Sequence, residues 1–520
     1  MKAERFLTMR RLRAAFTGGW RIGIVVPCLM LAATVVSPAQ EQPPTPETVT
    51  FTTLVNFNGM DVRNPGGMIQ GPDGALYGTT GGANGDGTFF RMTPGGSLTK
   101  SVRYAGSTPG ISFLGTDGNF YGTGGGGAFA NGAVYKIATD GTLTVLYSFC
   151  AMPNCPDGSN PFGLALGRDG NFYGTTGSGG TGTDCGFGTC GTAFQLTPGG
   201  TLTTLYDFCS QPGCSDGSLN FGGVIQASDG NIYGTTNEGG NTTTGCGSVG
   251  CGTVFKLTPT GVFTTIYSFC PTTSSGDCLD GARPTAGLVQ GSDGALYGTT
   301  QFGGANCVSM GGCGVVFRVT TAGAYSTVYS FCAQASCADG ANPSAGLIQA
   351  DDGNLYGTTL DGGIGVCSVS VYEPGCGTVF SLTPGGTLTT LHQFVGTDGT
   401  SAGTPVQDTS GSLYGTANAG GASSSGCPRG CGTVFEVSAG LKPFVEPVPS
   451  SGKVGATIQI LGTNLTSATA VSFNGVAAAF TVVSASEITA TVPAGATTGY
   501  MTVVTAKRTL RSSVKFRVLP

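Results

Sequence analysis

An eight-residue phrase recurs along this 520-residue chain. It reads DGALYGTT at 73–80 and 293–300, DGNFYGTT at 169–176, DGNIYGTT at 229–236 and DGNLYGTT at 352–359. Self-similarity at such a spacing indicates a chain built from copies of one supersecondary unit. Seven Tyr-Gly pairs mark seven copies, at Tyr77, Tyr121, Tyr173, Tyr233, Tyr297, Tyr356 and Tyr414.

Each copy predicts four short strands. The unit at 287–337 reads GLVQ, a turn at GSDG, ALYGTT, a long loop, GVVFRVT, a turn at TAG, and AYSTVYSF. Apolar, aromatic and β-branched residues alternate within these stretches, and Asp-Gly or Pro-Gly-Gly punctuates them as hairpin turns do. No window keeps a helical apolar period, and 93 glycines disfavour helices. The chain is therefore predicted to be all-β.

The ends of the repeat array predict a closed ring. Four-stranded antiparallel sheets around an axis form a β-propeller, which hides sheet edges by radial closure. The seventh unit stops after its third strand at 432–438, and a copy of the missing fourth strand, TFTTLVNF, stands at 50–57. We therefore expect a seven-bladed β-propeller of four-stranded blades over 49–440, closed by an N-terminal strand. A linear β-solenoid is the alternative, although its coils are shorter and do not fold back as hairpins.

The repeated phrase is interpreted as a structural motif and not as a binding site. In LYGTT the alternation of side chains places Leu and Gly toward one neighbouring blade and Tyr and the first Thr toward the other. Glycine there allows a neighbouring backbone or ring to approach closely. The preceding Asp-Gly makes a tight turn in which Asp bonds its own backbone.

Two family resemblances follow from these motifs. The tandem pattern DGxLYGTTxxGG…GTVFxLTPxGxLTTLYSF over about 50–440 resembles the GloVer repeat of bacterial exported proteins, which implies a secreted repeat protein without an established catalytic activity. Unit two departs from the pattern with YGTGGGG, and unit seven has Ser410-Gly411 in place of Asp-Gly. The tail at 441–520, with ATIQILGTNL and AVSFNGVAAAF, resembles an IPT/TIG domain, an immunoglobulin-like β-sandwich that serves as a spacer or protein-binding module.

The N-terminus predicts export. Six basic residues within 1–21 precede the apolar run IGIVVPCLMLAATVV at 22–36 and the small-residue pattern SPAQ, as in a secretory signal peptide spanning 1–39. Residues 40–48 then form a linker. A membrane anchor is the competing interpretation, but the run is shorter than the roughly 20 residues that span a bilayer. A lipid anchor on Cys28 is disfavoured because Pro27 precedes it.

Charge limits the partners. Residues 41–440 carry 25 acidic against 10 basic side chains, which argues against nucleic acid. Cleavage of the signal peptide would leave no membrane span, and we expect a monomer, either secreted or held at the bacterial cell envelope.

Signal removal also leaves 18 of the 19 cysteines, an even number that fits a disulfide framework in an oxidising compartment. Five close pairs lie between the second and third strands of a unit and four follow a fourth strand, so both loop types should emerge on one face. Zinc needs four ligands per site, and the varied spacings and the single histidine argue against it. The predicted pairs are Cys150/Cys155, Cys185/Cys190, Cys209/Cys214, Cys246/Cys251, Cys270/Cys278, Cys307/Cys313, Cys332/Cys337, Cys367/Cys376 and Cys427/Cys431.

Catalytic motifs are not evident. The single histidine, His392, replaces the Tyr of LYSF in an outer strand, and no Ser-His-Asp or Cys-His arrangement can be built around it. The recurring Asp residues could bind calcium as a ring, but turn capping explains them more simply. No catalytic residue, metal ligand or cofactor is predicted.

Three functional classes stay open. The first is an extracellular protein that binds or scaffolds a protein or glycan through the looped, disulfide-rich face, because recognition often lies on long loops of a rigid scaffold. The second is a propeller enzyme acting on polysaccharides or lactones, and the third is a structural envelope component. The first is favoured, and its predicted contacts are Phe187, Phe302, Tyr372 and Glu373.

Overall fold

The computed structural model describes residues 49–59, 63–82, 85–182, 190–241, 246–271, 278–306, 312–365, 367, 375–423 and 427–520. The predicted signal peptide, the linker and the predicted contacts Phe187, Tyr372 and Glu373 lie outside these residues. The described chain is all-β, as predicted. Its helical elements are four 3-10 turns, Pro212–Cys214, Gly247–Val249, Ala335–Cys337 and Leu465–Ser467.

The repeats form seven antiparallel sheets, numbered 1 to 7 along the chain, each drawn from one repeat. In each repeat the strands follow one another across the sheet in chain order and pair antiparallel, and the first strand of a repeat is here called its inner strand. Sheet 1 contains β2 (Arg63–Gln70), β3 (Leu76–Gly81), β4 (Gly87–Met92) and β5 (Leu98–Tyr104). Sheet 2 contains β6 (Thr108–Pro109), β7 (Phe113–Leu114), β8 (Phe120–Gly125), β9 (Ala133–Ile137) and β10 (Leu143–Ser148). Sheet 3 contains β11 (Ser159–Leu166), β12 (Phe172–Ser178), β13 (Thr192–Leu196) and β14 (Leu202–Asp207).

The next three sheets follow the same order with shorter inner strands. Sheet 4 contains β15 (Val224–Gln226), β16 (Ile232–Thr236), β17 (Thr253–Leu257) and β18 (Phe263–Ser268). Sheet 5 contains β19 (Val289–Gln290), β20 (Leu296–Thr300), β21 (Val315–Val319) and β22 (Tyr325–Ser330). Sheet 6 contains β23 (Ile348–Gln349), β24 (Leu355–Thr358), β25 (Thr378–Leu382) and β26 (Leu388–Gln393).

Sheet 7 is completed by the N-terminus. Its own repeat supplies β27 (Thr400–Ala402), β28 (Val406–Gln407), β29 (Leu413–Ala419) and β30 (Thr433–Ser438). The first strand of the chain, β1 (Thr50–Asn56), pairs antiparallel with β30, as the duplicated sequence predicts. The register joins Thr50 to Ser438 and Thr53 to Phe435.

Glycine in the repeated phrase has a steric reason. A Cβ at Gly78 would lie 2.4 Å from the ring of Phe90, which comes from the third strand of the same sheet. At Gly234 the same clash would be with Phe255, at 2.6 Å. A phenylalanine ring therefore packs on each of these glycines, which is the close approach that the sequence predicts.

Neighbouring sheets share apolar cores. The alternation in LYGTT sends Leu76 into the core between sheets 7 and 1, and Tyr77 into the core between sheets 1 and 2. Among the described residues, buried clusters join each sheet to the next, and one cluster joins sheet 7 to sheet 1. In that last cluster Val55 and Phe57 of the N-terminal segment pack with Phe90 and Val434.

The C-terminal domain is a two-sheet sandwich. One sheet contains β31 (Glu446–Val448), β33 (Thr457–Leu461), β36 (Phe480–Val482) and β37 (Glu487–Thr491). The other contains β32 (Ser451–Lys453), β34 (Ala468–Phe473), β35 (Val476–Ala478), β38 (Gly499–Thr505) and β39 (Thr509–Leu519). The core between them is closed by residues such as Ile460, Phe473 and Phe516.

This domain contacts the repeat sheets at their Asp-Gly turns. Val448 and Leu461 pack into the core between sheets 1 and 2. Ser486 Oγ donates a hydrogen bond to the carbonyl of Pro72 at 2.8 Å, and the Arg517 guanidinium donates to the carbonyl of Ser228. The edge of the repeat sheets that carries the Asp-Gly turns, here called the turn edge, is thus partly covered by the C-terminal domain.

Candidate functional site

The Asp-Gly turns are self-contained structural units. Asp73 Oδ1 accepts a hydrogen bond from the N–H of Ala75, and Asp73 Oδ2 accepts one from the Tyr77 hydroxyl at 3.0 Å. Arg91 adds an ion pair to the same carboxylate at 2.6 Å. Burial, followed by the nearby Asp73 carboxylate, raises the pKa of Tyr77 to about 12. The Tyr-to-Asp hydrogen bond recurs in the next five repeats, at Asp117, Asp169, Asp229, Asp293 and Asp352.

In sheet 2 a lysine joins the same kind of unit, because Lys136 forms an ion pair with Asp117 at 2.9 Å. Burial alone would raise the pKa of Asp117, but hydrogen bonds from Lys136, Tyr121 and Asn119 outweigh it and lower the pKa to about 2. Sheet 7, which has Ser410 in the aspartate position, uses Asp408 to accept the turn N–H groups instead. These carboxylates are engaged by their own turns, which agrees with turn capping as their role.

A relay of glutamines links the inner strands. Gln226 Oε1 accepts a hydrogen bond from the N–H of Arg168 in the preceding sheet, at 2.8 Å. Gln290, Gln349 and Gln407 repeat the contact to the N–H groups of Ser228, Ser292 and Asp351. Gln70 of sheet 1 accepts from the N–H of Thr409 of sheet 7 at 2.9 Å, although 339 positions separate the two residues.

The relay is interrupted between sheets 1 and 2 and between sheets 2 and 3, where the sequence lacks a donor or an acceptor. Pro72 occupies the donor position in sheet 1, and proline has no N–H. The acceptor position in sheet 2 is Leu114 rather than glutamine. Sheet 3 likewise has Leu166 at this position.

The opposite edge of the sheets, here called the loop edge, carries the connections between second and third strands and those between repeats. The N–H of Gly180, in the loop after β12, donates to the carbonyl of Cys155, which lies in the loop between sheets 2 and 3. Three further repeats have the same contact, from Gly240 to Cys214, Gly304 to Cys278 and Gly363 to Cys337. The two loop types therefore lie together on one edge, as predicted.

Buried carboxylates fix the inter-repeat loops. The Tyr206 hydroxyl donates to Asp216 at 2.8 Å, and the same carboxylate accepts the N–H of Ser210. Tyr147, Tyr267 and Tyr329 make the equivalent bond to Asp157, Asp280 and Asp339. Burial raises the pKa of Asp280.

His392 takes the same place in sheet 6. Its Nε2 lies 2.7 Å from Asp398 Oδ2, and its ring stacks on Phe51 of β1 at 3.5 Å. Burial opposes ionisation of Asp398, but the hydrogen bonds from His392 and from the N–H of Val395 lower its pKa overall. The histidine is a structural substitute for tyrosine. Its partner was missed from sequence, although the Asp-Gly pair that follows the last strand of each of sheets 2 to 6 could have revealed it.

The described cysteines are bonded within their loops. Seven disulfides join Cys150–Cys155, Cys209–Cys214, Cys246–Cys251, Cys270–Cys278, Cys332–Cys337, Cys367–Cys376 and Cys427–Cys431. Cys185 and Cys307 lie outside the described residues, and Cys190 and Cys313 are disulfide-bonded. In sheets 3, 4 and 5 the sulfurs of the two loop types approach each other, with Cys251 and Cys278 3.7 Å apart.

Of the predicted contact residues, the structure places only Phe302. It is half-buried, bridges to Ala282 and packs against the core between sheets 4 and 5. The exposed apolar side chains of the loop edge are others. They are Phe129, Met152, Phe221, Leu279, Ile364 and Val395, with Ile364 72% exposed.

A cavity of about 870 Å³ lies where the C-terminal domain meets the turn edge. Inner-strand residues of sheets 1 to 4 and 7 line it together with the segment from Glu446 to Ser451. Its walls combine apolar and polar side chains, and Phe113, Tyr121 and Phe172 form a packed aromatic group on one side. Arg168, also in the lining, has a pKa lowered by burial and by the nearby Arg517.

Comparison with family models accounts for both parts of this geometry. A model described as the Gloeobacter/Verrucomicrobia repeat matches residues 44–246 and 241–442. The chain belongs to the Gloeobacter/Verrucomicrobia repeat family. An IPT/TIG domain model matches residues 445–518, and this is the family of the C-terminal sandwich. Both resemblances predicted from the sequence are thereby confirmed.

Other comparisons add little to the family assignment. No curated protein matches this member of the repeat family. Solved structures with some similarity include a candidate gluconolactonase (13% identity, TM-score 0.36, covering 76% of this chain and 94% of that one) and a luciferin-regenerating enzyme (11%, 0.38, 76% and 97%). A candidate glucose dehydrogenase from Thermus thermophilus is similar at 16% identity and a TM-score of 0.34, over 75% and 100% of the two chains. Likenesses this weak carry no argument about activity.

The described residues contain no helix that is both long enough and apolar enough to cross a bilayer.

Proposed function

We propose that this protein is an extracellular binding or scaffolding protein whose loop edge recognises a protein or glycan partner. The repeat sheets form a closed seven-bladed β-propeller over residues 49–440, and residues 441–520 form the attached immunoglobulin-like domain. Residues 1–39 act as a cleaved signal peptide and 40–48 as a linker, which places the mature protein outside the cytoplasm.

Ring closure is supported by contacts that repeat around the array and recur between its ends. The glutamine relay passes from Thr409 of sheet 7 to Gln70 of sheet 1. The Thr416 hydroxyl donates to the carbonyl of Gly66 at 2.8 Å, as Thr299 donates to Ala345 between sheets 5 and 6. Pairing of β1 with β30 leaves sheet 7 without an unpaired outer edge at β30.

One observation carries the functional proposal: the C-terminal domain covers part of the turn edge, whereas bridged loops with exposed apolar side chains occupy the loop edge. Disulfides, buried aspartates and backbone hydrogen bonds between loops hold this surface in shape. Preordered loops lose less conformational entropy on binding. The long loops of this edge therefore form an ordered surface, which is suited to recognition of a partner.

The proposal is tested by applying the oxidised, secreted protein to protein and glycan arrays and repeating each positive with two pairs of variants. Met152→Ser and Ile364→Ser alter the loop edge. Leu98→Ser and Val262→Ser alter exposed apolar residues beside the opposite turns and serve as matched controls. We expect the loop-edge pair to weaken binding about tenfold or more and the control pair to leave it unchanged.

Replacing the 361–376 loop with the short 81–87 version extends the test to Tyr372 and Glu373. Folding should persist and binding should fall. Equal loss in the control pair, or binding that survives removal of all the long loops, would contradict the proposal. Turnover of a polysaccharide or lactone by the same preparation would favour the enzyme alternative.

A further inference from the structure

The cavity beneath the C-terminal domain contains an unusual carboxylate. Glu446 begins β31 and lines the cavity with Val448 and Leu461. Among the described residues, no hydrogen bond and no ion pair reaches its side chain. Burial raises the pKa of Glu446. The Glu446 side chain is partly exposed at the cavity, where its carboxylate has no protein group to offset its partial loss of water.

The other charged and amide side chains in the lining already have partners, Gln407 among them. Gln70 and Gln226 use both ends of their amides in the glutamine relay and its turns. Asp117 accepts from Tyr121 and Lys136, and the Arg168 guanidinium donates to the carbonyl of Ala227 at 2.7 Å. Glu446 is therefore the carboxylate that the cavity leaves available.

The dimensions and walls fit a small molecule. A volume of about 870 Å³ falls in the range of sites that enclose drug-sized ligands, roughly 300–1,000 Å³. Met68, Ile111 and Val406 add aliphatic surface to the aromatic group of Phe113, Tyr121 and Phe172. Sites for small molecules combine such apolar surface with polar groups that fix the orientation of the ligand.

We propose that this cavity binds a small molecule with an apolar body and an ammonium group, and that Glu446 receives the ammonium. The apolar body lies against the aromatic and aliphatic walls. The charge-assisted hydrogen bond supplies the partner that the carboxylate lacks in the protein alone. The site belongs to the junction of repeats and C-terminal domain, so neither part would form it alone.

The test measures binding of three probes of equal chain length, octylamine, 1-octanol and octanoate, by isothermal titration calorimetry on the full mature chain. Octylamine should bind at least about tenfold more tightly than octanol, since a hydrogen bond to a charged group typically exceeds the 1.4 kcal/mol that corresponds to tenfold. Octanoate should bind more weakly than either.

Two variants separate Glu446 from the general negative charge of the protein. Glu446→Gln should remove the preference for octylamine and leave octanol binding unchanged. Glu487→Gln, which changes a glutamate of the same domain that pairs with Gln459, is the matched control and should bind octylamine as the parent does. Similar losses in both variants, or equal affinities for the three probes, would overturn the proposal.

A third variant tests the location of the site. Gly67 lines the cavity, and a Cβ placed on it would meet no atom within 4 Å. Gly67→Leu should therefore occupy the cavity without a clash at Cβ and weaken binding of octylamine and octanol together. Undiminished binding in a Gly67→Leu protein that melts like the parent would place the probes elsewhere and refute the assignment.

Discussion

Truncation of Phe57 measures how firmly the N-terminal segment is built into the ring. Phe57 is 4% exposed, packs 5.8 Å from Phe90 and donates its N–H to the carbonyl of Gly432 at 3.0 Å. Phe208 holds the equivalent position in sheet 3, fully buried 5.3 Å from Phe255 and with its N–H on Gly191 at 3.0 Å. Because both side chains fill the core between adjacent sheets, Phe57→Ala and Phe208→Ala should each cost about 3–5 kcal/mol.

Urea-induced unfolding, followed by far-UV circular dichroism, gives the two costs. The comparison is matched because Phe57 and Phe208 occupy the same position of the repeat. They differ in that Phe208 belongs to the same repeat as the rest of its sheet, whereas Phe57 comes from the N-terminal end of the chain. A loss in Phe57→Ala below about 0.5 kcal/mol, the size of an ordinary surface substitution, beside a full loss in Phe208→Ala would refute the docking of the N-terminal segment.

Three further outcomes follow from the described contacts. Burial raises the pKa of Tyr77, Tyr147, Tyr173 and Tyr206 from 10.0 to about 12. The stability that these neutral hydroxyls contribute is therefore complete below pH 10 and is lost as pH rises toward 12. Absorbance at 295 nm should show them ionising together with unfolding, and ionisation near pH 10 in the folded protein would contradict this. Burial also raises the pKa of Glu446, so ionisation of this carboxylate opposes folding as pH rises through that pKa. Glu446→Gln should therefore melt at a higher temperature than the parent at neutral pH. An equal or lower melting temperature would show that the carboxylate is stabilised in the folded protein. Non-reducing peptide mapping should recover the nine local disulfides. A link between Cys251 and Cys278, whose sulfurs lie 3.7 Å apart, would show a different connectivity.

The repeat pattern was enough to predict the local architecture. Alternation within LYGTT, the Asp-Gly turns and the glycine that admits Phe90 all follow from the preferences of single strands and hairpins. The pairing of β1 with β30 could also be predicted, because TFTTLVNF duplicates a strand that the seventh repeat lacks.

Contacts that depend on which sheets become neighbours were harder to predict. The hydrogen bond from Thr409 to Gln70 requires the two ends of the array to meet. The sequence contained one signal of such contacts between repeats, because Pro72 lacks the donor N–H in the same place where Leu114 lacks the acceptor. Nothing in the sequence of the C-terminal domain indicated where it docks, so the cavity around Glu446 could not be anticipated. Phe302 stays a predicted contact of the loop edge, and the sequence does not show that its ring also packs beside the core between sheets 4 and 5.

The most direct test of the proposed closed ring is a photo-cross-link from the N-terminal strand. Phe51 of β1 stacks on His392 at 3.5 Å and lies 5.4 Å from Phe435, both far along the chain. With a benzophenone amino acid in place of Phe51, irradiation followed by peptide mapping should give intramolecular links to the segments containing His392 and Phe435. Links confined to neighbouring repeats 1 and 2, or formed only between separate molecules, would contradict closure by the N-terminal strand.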